Sequence, residues 1–522
     1  MESLLRGKSV IQAILAYWIS PLAGNKPRLK RGQLNPKPLD DFLKEVETAF
    51  VDPINGSGLL QLSTNIKRQL VEHLEKDTHC MLPSFSHQLP TGSERGQFVA
   101  LDVGGSTLRV ALVELQGNEM RQCDIVSIRN IHITQAVKDL EGMAFFDWMA
   151  ARIQETLSMD LNREHNRDKP LPVALAWSFP VEQTALDGGK ILGMGKGFRA
   201  DKGLVGQDLG QLIKQACANR HLHVELRAIL NDSSACLLSR AYSHMSTRFS
   251  LILGTGLNMA AFLPVIGIGR HKFGLRPDSW FKEATHVIVN TELSMFGHGI
   301  LPLTKWDQML LRGHERPEFQ PLEHLVSGMY LGEIARLILI EAIETVGIFG
   351  GIVPASLSNA YSLGTDTLSI IEGDETADLA EAIKIFSERH ASSHAPTAAD
   401  LAAVKVIASF ISMRSSALVA TCVFTLWEHR LEVEKTYISN LPKLSPARLE
   451  AEADMKLETT TVAFNGSVIE HYTGYLDNCQ RFIDDLIRSR DLSEPRSIRL
   501  VPAKESSLMG AAVALACVER DD

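Results

Sequence analysis

The stretch LDVGGSTLRV, Leu101 to Val110, places a carboxylate, two adjacent glycines, two hydroxyls and a guanidinium side by side. Gly104 and Gly105 let backbone N–H groups turn toward one point and admit close approach of an anion. Ser106 or Thr107 adds a hydroxyl donor. Asp102 repels a phosphate directly but suits a magnesium ion held through water. Arg109 is cationic, and on a strand it equally suits pairing with an acid. Taken alone, the stretch fits a plain hairpin turn or a phosphate loop.

Other stretches repeat the theme. LGTG is a second glycine turn after a strand, with Thr255 between Gly254 and Gly256, and FNGS is a third, with Gly466 and Ser467. SSLMG, Ser506 to Gly510, is a weaker companion. Glycine turns recurring at strand ends suit a triphosphate nucleotide. Between them lie polar residues at the ends of apolar runs: Ser178 after Trp177, Lys196 between Gly195 and Gly197, Asn231 and Asp232 after Leu230, Asn258, then Asn290 and Glu292, and Glu323 at the start of a helical segment. Each alone reads as a cap or turn residue. Together they offer the amides, hydroxyls and carboxylates that a polyhydroxylated ligand requires, because each buried hydroxyl left unpaired costs ~1–3 kcal/mol.

The elements that must position these groups follow from periodicity. QFVALDV, TLRVALVEL and DIVSIRNIHI read as successive strands, followed by a helix near Val137 to Leu157 and the strand PVALAWSFP. A helix around Leu204 to Ala218 and the strand VELRAIL come next. The strand–glycine–strand pattern then returns in SLILGTGLNMAAFLPV, about 150 residues after the first, and the echo points to a duplicated α/β domain. Residues 41–78 and Leu325 to Ile348 carry helical spacing, 364–400 read as loops around a short helix, and Ala398 to Glu434 as helices. TTTVAFNGSVI reads as a strand, and the chain ends in strand, small-residue turn and helix.

With 522 residues, 45% of them apolar and 22% charged, the chain has the composition of a soluble globular protein with two or more domains. A net charge of −9 gives no reason to expect a nucleic-acid partner. Seven scattered cysteines without a CxxC pair read as reduced thiols of an intracellular protein, each a small buried apolar residue. No apolar run reaches the ~18–20 residues of a membrane span. SVIQAILAYWISPLAG, Ser9 to Gly24, is a short apolar run flanked by Arg6, Lys8 and KPRLKR. It reads either as an interfacial helix or as a helix packed on the body of the protein. The basic, proline-bearing residues 25–40 read as a linker.

From about residue 40 to the C-terminus the chain resembles the eukaryotic hexokinase family. The matching stretches are LDVGGSTLRV, SFPVEQTALDGGKIL, GKGFRA, ILNDSSA, LGTGLNMA, IVNTELSMFG, HLVSGMYLGEIARLIL and NGS, in the family's order and each once, as in a single unit. The resemblance implies an α/β, actin-like ATPase (ribonuclease H-like) duplicated fold, with two lobes around a sugar-binding cleft. Residues 39–96 and 236–505 would form the large lobe, 97–235 and 506–522 the small lobe, and 1–38 an N-terminal extension. It implies phosphorylation of a glucose-like hexose at its 6-hydroxyl, with ATP and Mg²⁺. Ser178, Phe179, Lys196, Asn231, Asp232, Asn258, Glu292 and Glu323 match the sugar contacts, with Asp232 as general base and Lys196 beside it in catalysis. Asp102, Gly104, Gly105, Ser106, Thr107, Arg109, Gly254, Thr255, Gly256, Gly466 and Ser467 match the nucleotide side. No protein ligand set for a metal is implied: Mg²⁺ is held by ATP and water, with Asp102 as a water-bridged contact. The N-terminal run is similar to the leader by which some hexokinases dock on the mitochondrial outer membrane; the resemblance implies a cytoplasmic protein, either free or on that surface.

The chain departs from the family pattern in places. Ser106 and Thr107 stand for Thr-Asn, Gly195 for a sugar-binding threonine, Leu293 for a tryptophan and Asn465 for an aspartate. SSLMGAA replaces Gly-Ser-Gly-Lys/Arg-Gly-Ala-Ala. These departures cluster on the nucleotide side, while Asp232 and the sugar carboxylates are intact. Two hypotheses follow: an active but unusual sugar kinase, and a sugar-binding regulator that no longer catalyses.

Overall fold

The computed structural model describes residues 37–77, 79–117, 122–157, 166–195, 197–490 and 495–519. The N-terminal run at 9–24 and Lys196 lie outside the described residues.

Two sheets organise the chain. The first contains β2 (Gly96–Val103), β3 (Thr107–Leu115), β4 (Cys123–His132), β5 (Leu171–Trp177) and β8 (Val224–Leu230), in the order β4-β3-β2-β5-β8. The second contains β1 (Leu82–Pro83), β9 (Thr247–Leu253), β10 (Leu257–Pro264), β11 (His286–Asn290), β12 (Thr459–Asn465) and β13 (Ser497–Pro502), in the order β1-β11-β10-β9-β12-β13. A small ribbon pairs β6 (Val181–Gln183) with β7 (Gly189–Ile191). In each large sheet a three-stranded antiparallel meander is extended by two parallel strands. Numbered in chain order within each unit, the first sheet reads 3-2-1-4-5, and the second reads the same once its added edge strand β1, antiparallel to β11, is set aside. The echo in the sequence is therefore a duplicated topology. Strands β2 and β5 are apolar over most of their length because neighbouring layers cover both faces.

The helices fill the space around the sheets. α1 (Leu39–Val51), α2 (Gly58–Lys76), α3 (Met143–Thr156), α4 (Leu209–Ala218), α5 (Asp232–Ser243), α6 (Gly328–Val346), α7 (Ala398–Asn440), α8 (Tyr475–Arg488) and α9 (Ser506–Glu519) are the main ones. α3 and α4 join the core of the first sheet; α1, α2, α6, α7 and α8 join that of the second. α5 and α9 each follow the fifth strand of a unit and meet in a third core between the sheets. Alanines from β2, β3, β5 and β8 line that core, so the backbones come close. At the crossing a Cβ on Gly510 would lie 1.9 Å from the Ala235 carbonyl oxygen, so only glycine fits.

Three elements differ from expectation. The helix expected from Leu204 begins at Leu209, because Asp208 Oδ1 accepts the Gln211 N–H at 2.9 Å and caps it there. Residues 364–400 hold two helices, Thr365–Gly373 and Ala380–Arg389. They are tied by Arg389 Nη1 donating to Asp366 Oδ2 and Thr367 Oγ1, both at 2.6 Å. α7 is one helix of 43 residues, long and apolar enough to cross a membrane by length and composition, yet it is largely buried within the second core.

Candidate active site

β2, β5 and β8 run parallel, so their C-terminal ends open together. Asn231 and Asp232 leave β8 there, and Asn231 caps α5: its Oδ1 accepts the Ser234 N–H at 2.9 Å, and its Nδ2 donates to Ser233 Oγ at 3.0 Å. Asp232 opens α5, and its Oδ1 accepts the Ser233 N–H at 2.7 Å. A carboxylate at a helix N-terminus is favoured by the exposed N–H groups. Ser178 leaves the end of β5 beside it, with its N–H donating to the Val103 carbonyl at 3.2 Å. Phe179 is buried between the rings of Trp177 and Phe198, whose centroids lie 5.1 and 5.0 Å away. Gly195 and Gly197, on either side of Lys196, both have left-handed φ, +59° and +81°. Left-handed φ of this kind disfavours a β-branched residue at 195.

A line of amides and carboxylates completes the polar cluster. Asn258 Nδ2 donates to Asn290 Oδ1 at 2.9 Å, and Asn290 Nδ2 donates to Glu292 Oε1 at 2.7 Å. Glu292 is held in a left-handed conformation, φ 49° and ψ 49°, which for a non-glycine residue costs ~1–3 kcal/mol and is a feature of functional sites. The Thr291 N–H donating to the Met259 carbonyl at 3.0 Å pins this strand end. Burial raises the Glu292 carboxyl above its ordinary range; the Asn290 bond opposes that and the charge of Asp232 adds to it. Glu323 Oε2 accepts the Leu257 N–H at 2.8 Å. A Cβ on Gly256 would lie 2.8 Å from that oxygen, so a side chain at 256 would push the Glu323 carboxylate out of its present place. Glu323 is also raised, by burial first; the Leu257 N–H opposes and Glu292 adds. Asp232, Glu292 and Glu323 thus feel one another in series across one space.

The glycine turns form a second cluster. In the β2–β3 turn the Gly104 N–H donates to the Thr107 carbonyl at 3.0 Å, and Ser106 is exposed. Arg109 does what a strand cation can do: Nε donates to Asp102 Oδ2 and Nη1 to Glu505 Oε2, both at 2.7 Å. In the β9–β10 turn the Gly254 N–H donates to the Gly256 carbonyl at 3.0 Å, while the Gly254 carbonyl accepts from Gly328 at 2.8 Å. A Cβ on Gly466, at φ +128°, would lie 2.4 Å from the Leu253 carbonyl oxygen, and one on Gly328 2.9 Å from that of Gly254. The turn around Thr255, the Gly466–Ser467 turn and the start of α6 therefore meet backbone to backbone.

The segment Ala503–Ser506 links the two turns, through Glu505 to Arg109 and through Ala503 to Asn465. Asn465 Nδ2 donates to the Ala503 carbonyl at 3.0 Å, a bond that a carboxylate cannot make. Leu508, where the family has glycine, is fully buried under α5. Asn290 is visible in the sequence as a polar strand end, but its two-sided bond is not. Gly328 and Glu505 leave no signal there, because their partners come from remote segments.

Behind Ser467 the helix Ser467–His471 ends at Tyr472, whose hydroxyl donates to Glu372 Oε2 at 2.7 Å. Ser412 Oγ donates to both Glu372 oxygens at 3.0 Å. Burial pushes this carboxyl up to about 7. Glu372 then holds its proton in the folded state while the unfolded chain, with an ordinary carboxyl, has lost it. Stability falls as pH rises from about 4.5 to about 7, and the full burial cost is present above. Glu372→Gln removes it. Urea unfolding at pH 8 should show the variant gaining up to about 3 kcal/mol on the parent relative to pH 4.5, and an unchanged difference between the two pH values would contradict this origin.

Comparison with known proteins fits this geometry. Two family models, both described as hexokinase, match residues 43–242 and 248–517. A hexokinase of Kluyveromyces lactis is 26% identical over 505 residues, covering 94% of this chain and 96% of that protein. Hexokinase-1 of Arabidopsis thaliana is 29% identical over 440 residues, covering 83% and 82%. Among solved structures, a hexokinase from Schistosoma mansoni complexed with glucose superposes with a TM-score of 0.70 at 24% identity, covering 92% of this chain and all of that one. With the family models spanning both duplicated units and the fold shared, the chain belongs to the hexokinase family.

Proposed function

We propose that the protein transfers the γ-phosphoryl group of ATP to the 6-hydroxyl of a glucose-like hexose. The observation that supports this most is the series Asp232–Glu292–Glu323, three carboxylates gathered beside Asn231, Asn258 and Ser178. Asp232 accepts the proton of the 6-hydroxyl as its oxygen attacks phosphorus. Glu292 and Glu323 accept from other sugar hydroxyls, Asn258 and Asn231 donate or accept, and Phe179 walls the site. Lys196, which the family resemblance places among the sugar contacts, is proposed to act on the same sugar.

The backbone N–H groups of Gly105 and Ser106, of Thr255 and Gly256, and of Ser467 receive the phosphates, with the Ser467 hydroxyl as a further donor. Mg²⁺ enters with ATP and neutralises charge on the phosphates. Asp102, braced by Arg109, serves that ion only through water. Closing the two lobes, 97–235 with 506–522 against 39–96 with 236–505, excludes the water that would compete for the phosphoryl group. Turnover is favoured over sugar sensing alone because the relatives matched along nearly the whole chain are hexokinases and Asp232 is retained.

A coupled assay with glucose and Mg·ATP tests this reading. Glucose-dependent ADP release is expected; no release from protein that binds glucose in calorimetry would overturn it. The nucleotide side has its own test. Gly466→Ala forces a methyl toward the Leu253 carbonyl, and KM for ATP should rise about tenfold or more while glucose affinity stays near the parent's, the rise corresponding to the ~1–3 kcal/mol of overpacking. Equal changes in both would place Gly466 elsewhere. For the N-terminal run, docking on the mitochondrial outer membrane predicts that deleting residues 1–24 releases the protein in fractionation; unchanged fractionation would refute it.

A further inference from the structure

The C-terminal end of α2 carries a group of side chains with no part in the sugar or nucleotide clusters. His73, Asp77 and Cys80 bring Nδ1 or Nε2, a carboxylate oxygen and Sγ within 4.8 Å of one another. The spacing His-x3-Asp-x2-Cys puts the first two on one face of the last helical turn, with the thiol returning from the loop that follows. His73 Nδ1 lies 2.9 Å from Asp77 Oδ2, and Asp77 Oδ1 accepts the Cys80 N–H at 3.0 Å. Cys80 is 2% exposed, and the His73 ring is fixed edge-on to Phe296 at 4.8 Å. The backbone of the loop is already shaped: Lys272 Nζ donates to the carbonyls of His73 and Cys80, both at 2.7 Å, and to that of Asp77.

We propose that His73, Asp77 and Cys80 bind one divalent transition ion of the zinc class, with water in the fourth position. Nitrogen, oxygen and sulfur donors in a group of three suit Zn²⁺ or Co²⁺ and not Mg²⁺, which takes oxygen ligands. Tetrahedral ligands at ordinary bond lengths stand roughly 3.3–3.7 Å apart, so the cluster needs only a small contraction. The thiol proton passes to solvent as the sulfur–metal bond forms, so binding tightens with pH. The ion would cancel the repulsion between the thiolate and Asp77, against the opposing charge of Lys272.

The site has a route to the sugar cluster. The Met81 N–H donates to the Thr291 carbonyl at 3.0 Å, and Leu82 pairs with Asn290. The loop that would hold the ion is therefore hydrogen-bonded to the strand end presenting Asn290 and Glu292. Binding of the ion is independent of the proposed reaction, and its test needs no turnover.

Metal-free protein is titrated with Co²⁺ in the absence of nucleotide, and thiolate-to-cobalt charge-transfer absorption is followed. One equivalent should develop the band, and Zn²⁺ should displace it. Cys80→Ser should abolish it, and His73→Gln should weaken binding by at least about tenfold. Cys123 and Cys517 are the partly exposed thiols, so a band that survives Cys80→Ser would overturn the assignment, as would no band at all. Thermal unfolding of each variant without metal must match the parent; if Cys80→Ser misfolds, protection of Cys80 from alkylation by Zn²⁺ in the unaltered protein decides, and unchanged alkylation refutes the site.

Discussion

Asp232→Asn is expected to lower glucose-dependent ADP release by ~10²–10⁴-fold, the range for loss of a positioned general base. The reason is local. Asp232 sits at the first position of α5, where its Oδ1 takes the Ser233 N–H and Asn231 caps the same helix. Asparagine keeps the shape and can still accept that N–H, so the helix start survives. It cannot take a proton at neutral pH. Glucose affinity should therefore change less than about tenfold, the effect of one altered hydrogen bond, while kcat collapses. Relief of repulsion moves Glu292 in a stated direction as well: with the Asp232 charge gone, its carboxyl falls back toward the ordinary range. Glucose binding measured against pH would then lose affinity at lower pH in the variant than in the parent. A variant that keeps its turnover would remove Asp232 from the proton transfer. One that loses glucose binding together with turnover would make it a sugar contact and not a base.

Much of this site is legible in the amino-acid sequence because its groups sit at the ends of apolar runs. Strand β8 must stop where Asn231 and Asp232 begin, and strand β2 where the glycines begin, since buried ladders end at polar turn residues. The duplicated topology is legible for the same reason, as two strand–glycine–strand units. What stays hidden depends on contacts between remote segments. The left-handed backbone of Glu292 is set by Thr291 pinned to Met259, thirty-odd residues earlier, and sequence carries no sign of it. Gly256 reads as one more turn glycine until Glu323 is seen to occupy the space of its missing Cβ. The helices within 364–400 are obscured by polar composition: Asp374 accepts N–H bonds from Thr376 and Ala382 at 2.9 Å each, so residues that read as loop bind the second helix to the first. α7 is hard to read as one element for the opposite reason. It is buried on nearly every side, so it has no polar face to mark a period.

Inside that buried helix, Arg414→Met is expected to destabilise the protein by ~3–5 kcal/mol, the penalty for leaving a buried charge without its partner. Arg414 is fully buried and grips Asp307 with two bonds, Nη1 to Oδ2 at 2.6 Å and Nη2 to Oδ1 at 2.8 Å. Asp307 also closes a capping box with Thr304 at the start of the helix Lys305–Gly313. Without the guanidinium its carboxylate stays enclosed, and the burial that disfavours its ionised form is no longer offset by Arg414. The next residue carries the link to the site: Ser415 Oγ donates to the Val326 carbonyl at 3.1 Å, in the turn that begins with Glu323. Loosening α7 at 414 should therefore weaken glucose binding as well as stability. The pair is not an ideal one, since Arg414 Nε has no acceptor, and a buried donor left unpaired costs ~1–3 kcal/mol. Replacing both partners, Asp307→Ser with Arg414→Met, should for that reason restore most of the loss, short of about 1 kcal/mol for the weakened cap. Urea unfolding of the parent, both single variants and the double variant closes the cycle. Additive losses would mean that each side chain acts through packing alone, and a large favourable coupling would show that what the fold requires at this point is neutrality, which the ion pair supplies.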